Sequence, residues 1–171
     1  TTNKKFLKLK STGTNSSSFA VNKLDNAPTG QVIITQDVKF YNNNSSILFK
    51  QDNPVTWSAN ATAISFNFTG TEFNLNGGEK ICDAVPGTWY KIVLSADVTS
   101  KLCFAKVYDA EGTLLGESDV TAFVNAGATA PVYLCYRTPD NSQGELDFNN
   151  VKMYTPEIDG TKFTTCLLYT S

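Results

Sequence analysis

The stretch Gln31-Val32-Ile33-Ile34-Thr35-Gln36-Asp37-Val38-Lys39-Phe40-Tyr41 alternates with the two-residue period of a β-strand. One face of this strand carries four apolar side chains, Val32, Ile34, Val38 and Phe40. The opposite face carries Ile33, Thr35, Asp37 and Lys39. Such alternation is typical of a strand that packs one face on a core and leaves the other near solvent. The stretch therefore predicts a half-buried strand of an antiparallel sheet.

The same period recurs further along the chain, where Tyr90, Ile92, Leu94 and Ala96 share a face. Residues 97–100 (Asp-Val-Thr-Ser) and 109–112 (Asp-Ala-Glu-Gly) have the composition of hairpin turns. Asn76-Gly77-Gly78 indicates a further chain reversal. Pro28, Pro54, Pro86, Pro131, Pro139 and Pro156 fall at or beyond the ends of the apolar runs, where a missing N–H costs least.

Twelve strands are predicted in all, and residues 119–125 offer at most a single helical turn. So many short strands without helices favour an all-β fold, a two-sheet antiparallel β-sandwich. The predicted strands are 6–10, 18–23, 31–41, 46–51, 63–68, 72–75, 80–84, 89–96, 102–109, 114–117, 131–138 and 145–154.

Composition excludes several classes of function. The 171 residues fit one domain, only 18% are charged, the net charge is −2, and Arg137 is the single arginine. Nucleic-acid binding needs clustered Lys and Arg and is not expected. The chain has no histidine, which removes His-based general bases and nucleophile pairs.

Residues 1–158 are predicted to form the sandwich, and residues 159–171 a C-terminal tail that is not native structure. The last seven residues resemble translated adapter sequence, and the start at Thr1 without Met predicts a mature, excised or truncated chain. No run of about 18 apolar residues predicts a membrane span.

No cofactor is expected to be required. The four cysteines, Cys82, Cys103, Cys135 and Cys166, are too far apart for a C-x-x-C motif. A disulfide and buried free thiols both remain open, with three pairings if all four cysteines pair. A structural calcium ion, held by scattered Asp and Asn oxygens, also remains open because such ligands leave no sequence pattern.

Three segments resemble the concanavalin A-like, laminin-G-like jelly rolls. Asn3–Leu9 (Asn-Lys-Lys-Phe-Leu-Lys-Leu), with the Ser/Thr-rich stretch after it, resembles their opening strand; residues 87–94 with 104–112 resemble the central strand pair; and residues 146–154 resemble the closing strand. The resemblance implies an accessory module of a secreted or cell-surface bacterial protein with an extracellular location, and the adapter-like last residues indicate an environmental (metagenomic) origin. A glycan is the implied partner of a monomeric domain within a larger chain.

An enzymatic alternative uses the same fold. Laminarinase-like glycanases of this superfamily carry E-x-D-x-E on one strand, and Glu145-Leu146-Asp147-Phe148-Asn149 matches only its first two positions. Asn149 stands where the acid/base is needed and has no proton to donate as a general acid. Glu145 and Asp147 are therefore predicted to be exposed positions on the closing strand. A polysaccharide lyase using Tyr133 as base and Arg137 as charge neutraliser is a second enzymatic hypothesis.

Sugar binding needs aromatic rings beside planar polar groups. Trp57 lies in a polar connection, residues 53–60, and is a candidate exposed plate, whereas Trp89 begins a well-patterned strand and is predicted to be a core residue. Tyr133 and Arg137 are predicted to share the outer face of one strand, roughly 13 Å apart. Asp140 follows in the adjoining loop, and Tyr41 is a further candidate plate.

The sequence predicts a non-catalytic carbohydrate-binding module of a polysaccharide-degrading or cell-surface protein. A structural or adhesion domain that binds protein, or a spacer, is the alternative. A laminarinase-like glycanase or a lyase is less favoured.

Overall fold

The computed structural model describes residues 5–11, 17–54, 61–139 and 144–156. These residues form thirteen strands and, within the described ranges, no α-helix, so the predicted all-β class is confirmed. The strands are β1 Leu7–Lys10, β2 Phe19–Lys23, β3 Gln31–Phe40, β4 Ser45–Lys50, β5 Thr62–Phe68, β6 Glu72–Leu75, β7 Lys80–Asp83, β8 Trp89–Asp97, β9 Leu102–Tyr108, β10 Leu114–Glu117, β11 Thr121–Ala122, β12 Tyr133–Arg137 and β13 Glu145–Tyr154.

Two antiparallel sheets face each other, as predicted. The seven-stranded sheet has the order β1-β13-β3-β8-β9-β10, with β11 pairing a second part of β9. The six-stranded sheet has the order β2-β12-β4-β5-β6-β7. Strands distant in sequence are neighbours in both sheets, so each sheet face collects side chains from the whole chain.

The alternation of β3 fixes which of its faces is inside. Val32, Ile34, Val38 and Phe40 are at most 1% exposed, and the residues between them are half-buried, apart from Gln36. Gln36 also points into the core, where its Oε1 accepts a hydrogen bond from Tyr136 Oη at 2.9 Å and its Nε2 donates to the Ile92 carbonyl. A buried amide is tolerated because both of its ends are paired.

An aromatic cluster joins the two sheets. Phe73 on β6 lies at its centre, with its ring centroid 5.0 Å from that of Tyr90 on β8 and 5.5 Å from that of Phe40 on β3. Phe66 and Phe68 on β5 pack against the same ring.

The predicted turns are confirmed. Residues 97–100 connect β8 to β9, residues 109–112 connect β9 to β10, and Asn76-Gly77-Gly78 lies between β6 and β7, with Asn76 and Gly77 at positive φ. The helical turn weighed for residues 119–125 does not form, because Thr121 and Ala122 are extended and pair with β9.

Trp89 is not a core residue, so that prediction is wrong. It is half-buried, whereas its neighbour Tyr90 is 6% exposed and belongs to the core. Since successive side chains of a strand point to opposite faces, an inward Tyr90 places Trp89 on the outer face of the seven-stranded sheet.

Cys82, Cys103 and Cys135 are free thiols, and Cys166 lies outside the described residues. The predicted tail, 159–171, also lies outside them, so the domain boundary stays a prediction. Among the residues described, there is no helix with the length and apolar character needed to cross a membrane.

Candidate functional site

The outer face of the six-stranded sheet carries the predicted pair, Tyr133 and Arg137. Leu134 and Tyr136, which alternate with them on β12, are buried in the core, so the predicted orientation of this strand is confirmed. Tyr133 and Arg137 are both half-buried.

Arg137 begins a row of polar side chains that crosses four strands. It is paired with Ser46 on β4, which is paired with Asn67 on β5, which in turn is paired with Asn74 on β6. Because neighbouring strands lie about 4.8 Å apart, this row extends over roughly 15 Å. The row lines a cavity of about 580 Å³, together with Asn44 from the turn after β3. We call this cavity the Arg137 recess, defined by Asn44, Ser46, Asn67, Asn74 and Arg137.

Hydrogen bonds hold the walls of the Arg137 recess in place. Asn67 Nδ2 donates to Asn74 Oδ1 at 2.9 Å, and Asn67 Oδ1 accepts from Ser65 Oγ at 2.8 Å. Arg137 Nε donates to Ser17 Oγ at 3.1 Å. Side chains fixed in this way need little ordering when a ligand binds.

Ser46 has a buried hydroxyl without a hydrogen-bond partner among the residues that the structure describes. The residue is only 3% exposed, yet it lines the recess. A buried hydroxyl without a partner costs free energy, and its burial places the Ser46 Oγ beneath the surface of the recess.

Tyr133 does not open onto the Arg137 recess. Between it and Arg137 on the same face lie Cys135 and its cross-strand partner Leu48, which are 0% and 2% exposed. The ring of Tyr133 instead has Lys23 Nζ at 5.8 Å. The structure thus places Tyr133 at the far end of this face, beyond a buried centre.

Tyr41 lies on the outer face of the other sheet. Its hydroxyl donates to Asp147 Oδ2 at 2.7 Å, and the ammonium groups of Lys8 and Lys39 lie 5.3 and 5.8 Å from its ring centroid. Burial and the hydrogen bond to Asp147 raise the pKa of Tyr41 to about 12. Lysine side chains and a carboxylate surround this ring, so it is built into a polar cluster.

The expectation that Glu145 and Asp147 are exposed is wrong, because Asp147 is 1% exposed and Glu145 is half-buried. Lys8 on β1 pairs with both carboxylates, with its Nζ 3.4 Å from Asp147 Oδ1 and in a hydrogen bond to Glu145. That hydrogen bond lowers the pKa of Glu145 and raises that of Lys8. A general acid needs a raised carboxyl pKa, whereas the pKa of Glu145 is shifted in the opposite direction.

We expect Tyr41→Phe to lower the free energy of unfolding by about 1–3 kcal/mol at pH 7, because Asp147 then keeps a buried oxygen without its donor. Urea unfolding measures this loss. In the wild type, the stabilisation from the protonated Tyr41 should be complete below pH 10. It should disappear as the pH rises from about 10 to about 12, since the pKa of Tyr41 is raised in the folded state.

Tyr154→Phe is the matched control, because Tyr154 is 49% exposed. That variant should change stability by less than about 0.5 kcal/mol. Equal effects of the two substitutions would contradict the role assigned to Tyr41.

Trp57 and Asp140, two of the predicted binding residues, lie outside the described residues and stay predictions. Sequence reasoning missed Ser46, Asn67 and Asn74, which no linear motif connects. The described residues contain no cluster of three or more His, Cys, Asp or Glu side chains able to hold a metal ion, and structural calcium stays an open expectation.

No protein-family model matches this sequence, and no curated protein matches it. Solved structures do match in fold. A sialidase superposes with a TM-score of 0.63 at 14% identity over 91% of this chain and 16% of its own. The catalytic domain of a glycoside hydrolase family 131 protein from Coprinopsis cinerea gives a TM-score of 0.53 at 11% identity over 78% of this chain and 59% of its own. Peanut lectin superposes with a TM-score of 0.53 at 9% identity over 88% of this chain and 87% of its own.

These likenesses establish the architecture as a concanavalin A-like jelly-roll β-sandwich, in agreement with the resemblance seen in the sequence. The chain spans less than two thirds of the sialidase and of the glycoside hydrolase domain. At identities of 9–14%, the shared property is the fold.

Proposed function

We propose that this domain is a non-catalytic carbohydrate-binding module and that it binds its glycan in the Arg137 recess. The observation that carries the proposal is the polar row from Arg137 through Ser46 and Asn67 to Asn74, lining a cavity of about 580 Å³. Ligand sites commonly have volumes of about 300–1,000 Å³.

The chemistry of the recess suits saccharide hydroxyls. An amide both donates and accepts hydrogen bonds in one plane, and a guanidinium presents a fixed fork of donors, so the two groups match adjacent hydroxyls on a pyranose ring. No acidic residue is found among the described lining residues, so an acidic sugar faces no repulsion there. A sialidase, a glycoside hydrolase and a lectin share the fold, which supports the choice of ligand class.

The non-catalytic part of the proposal rests on the carboxylates of β13. Glu145 is ion-paired with Lys8, and Asp147 is buried against Tyr41. Asn149 stands where the E-x-D-x-E motif has its third acidic residue. The lyase alternative is disfavoured because Tyr133 and Arg137 stand roughly 13 Å apart with a buried centre between them. The parent protein is proposed to be a secreted or cell-surface protein in which this domain is an accessory, monomeric module.

Affinity electrophoresis of the isolated chain through gels that contain neutral or acidic plant and algal polysaccharides tests this function. We expect retardation by at least one polysaccharide and no shortening of that polysaccharide on prolonged incubation. Failure to bind any of a broad panel would contradict the module and favour the protein-binding or spacer alternative. Release of sugar that Glu145→Gln abolishes would establish an enzyme instead.

A further inference from the structure

A second cavity, of about 340 Å³, lies on the outer face of the seven-stranded sheet and shares no lining residue with the Arg137 recess. We propose that it is a second saccharide site, which takes one neutral pyranose ring of a glycan. This Trp89 pocket is defined by Asp37, Trp89, Lys91, Asp109, Glu111 and Asn149.

Strand register brings three of these polar side chains into one row. Asn149 on β13 is paired with Asp37 on β3, and Asp37 is paired with Lys91 on β8. Trp89 lies two residues before Lys91 on the same face. An aromatic ring therefore stands beside an amide, a carboxylate and an ammonium group, a combination that matches a sugar ring with one apolar face and hydroxyls around its edge.

An irregularity in β13 fixes one wall of the Trp89 pocket. The pairing of β13 with β3 shifts register between Asn149 and Lys152, and Asn150 adopts a positive φ of 51°. Its Nδ2 donates to Asp37 Oδ2 at 2.6 Å, and its backbone N–H donates to Asn149 Oδ1 at 2.7 Å. A bulge that re-aims side chains toward a cavity is a frequent feature of binding sites.

The β9–β10 turn forms the opposite wall and is equally fixed. Asp109 Oδ1 accepts hydrogen bonds from the backbone N–H groups of Glu111 at 3.0 Å and Thr113 at 2.8 Å. Gly112 in this turn has a φ of +92°, a conformation that would be strained for a residue with a side chain. The carboxylate of Glu111 is exposed at the rim.

Two neighbouring side chains pack against the ring of Trp89. The ring of Phe6 packs edge-on against Trp89 with 5.7 Å between the ring centroids, and Lys39 Nζ lies 5.0 Å from the centroid of Trp89. A ring fixed by two neighbours loses little side-chain entropy when a ligand stacks on it.

Charge decides the class of saccharide. The lining carries three carboxylates, on Asp37, Asp109 and Glu111, and one ammonium group, on Lys91. A uronate or sulfated sugar would meet net repulsion, whereas the hydroxyls of a neutral sugar find both acceptors and a donor. The Trp89 pocket and the Arg137 recess lie on the outer faces of opposite sheets, so a domain that uses both sites would hold two glycan chains.

Tryptophan fluorescence tests the Trp89 pocket directly. The chain has two tryptophans, so Trp57→Phe leaves Trp89 as the single indole. Titration with neutral gluco-, manno- and xylo-oligosaccharides should change its emission in a saturable way, and oligogalacturonate should not. Glu111→Gln should weaken this response about 3- to 10-fold by weakening one hydrogen bond to the ligand.

Arg137→Ala serves as the control and should leave the Trp89 response unchanged, so failure of one site is distinguishable from failure of the other. If Trp57→Phe does not fold, the indole N–H resonance of Trp89 in the wild-type protein, assigned with Trp89→Phe, provides the same readout. No saturable change with any neutral oligosaccharide, or a response that Arg137→Ala abolishes, would overturn the proposal.

Discussion

Arg137→Ala is expected to weaken glycan binding by roughly 10- to 100-fold while leaving the fold intact. A hydrogen bond from a charged group contributes about 1.5–3 kcal/mol, and about 1.4 kcal/mol corresponds to a tenfold change in affinity. Arg137 is also the only arginine in the chain, so no neighbouring guanidinium replaces it. Isothermal titration calorimetry with the best-binding polysaccharide measures the loss.

Two further variants separate the geometry of Arg137 from its charge. Arg137→Lys keeps the positive charge and loses the planar fork, so its affinity should fall between those of the wild type and Arg137→Ala. Lys152→Ala removes the same unit of charge from an exposed position on the other sheet and should leave affinity unchanged. If Lys152→Ala weakens binding as much as Arg137→Ala, net charge rather than the recess determines affinity.

Phe73→Ala is expected to be the most destabilising single substitution considered, with a loss of about 3–5 kcal/mol in the free energy of unfolding. Phe73 is fully buried and its ring contacts aromatic rings from both sheets, so its removal leaves a cavity between the layers. For a chain of this size the loss corresponds to a fall in Tm of roughly 6–20 °C. Urea unfolding and thermal denaturation measure the two quantities.

Phe73→Leu should cost distinctly less, because most of the buried volume remains. Val85→Ala is the surface control: Val85 is 61% exposed, and its truncation should change stability by less than about 0.5 kcal/mol. A Phe73→Ala loss below about 1 kcal/mol would contradict the assignment of this cluster as the joint between the sheets.

Strand faces could be predicted wherever alternation was strong. The core side of β3 and the inward positions of β12 follow from period alone, because a strand has only two faces. The core position predicted for Trp89 rested on its place at the start of a well-patterned strand. An inward Tyr90 requires its neighbour Trp89 to lie on the opposite face of that strand.

The polar sites could not be predicted from the sequence, since pairing between distant strands creates them. Ser46, Asn67, Asn74 and Arg137 become one row only when β12, β4, β5 and β6 are placed side by side. Asp147 is buried for a similar reason, because its partners Tyr41 and Lys8 come from strands or turns more than a hundred residues earlier.

The most direct test of the central claim is a ¹H–¹⁵N NMR titration of the wild-type domain with an oligosaccharide cut from the polysaccharide that retards it. Saturable shifts of the Asn44, Asn67 and Asn74 side-chain amides and of the Arg137 Nε–H, with the oligosaccharide recovered at its original length, are the predicted result. Unmoved resonances at these four residues under saturating ligand, or an oligosaccharide shortened during the titration, would contradict it.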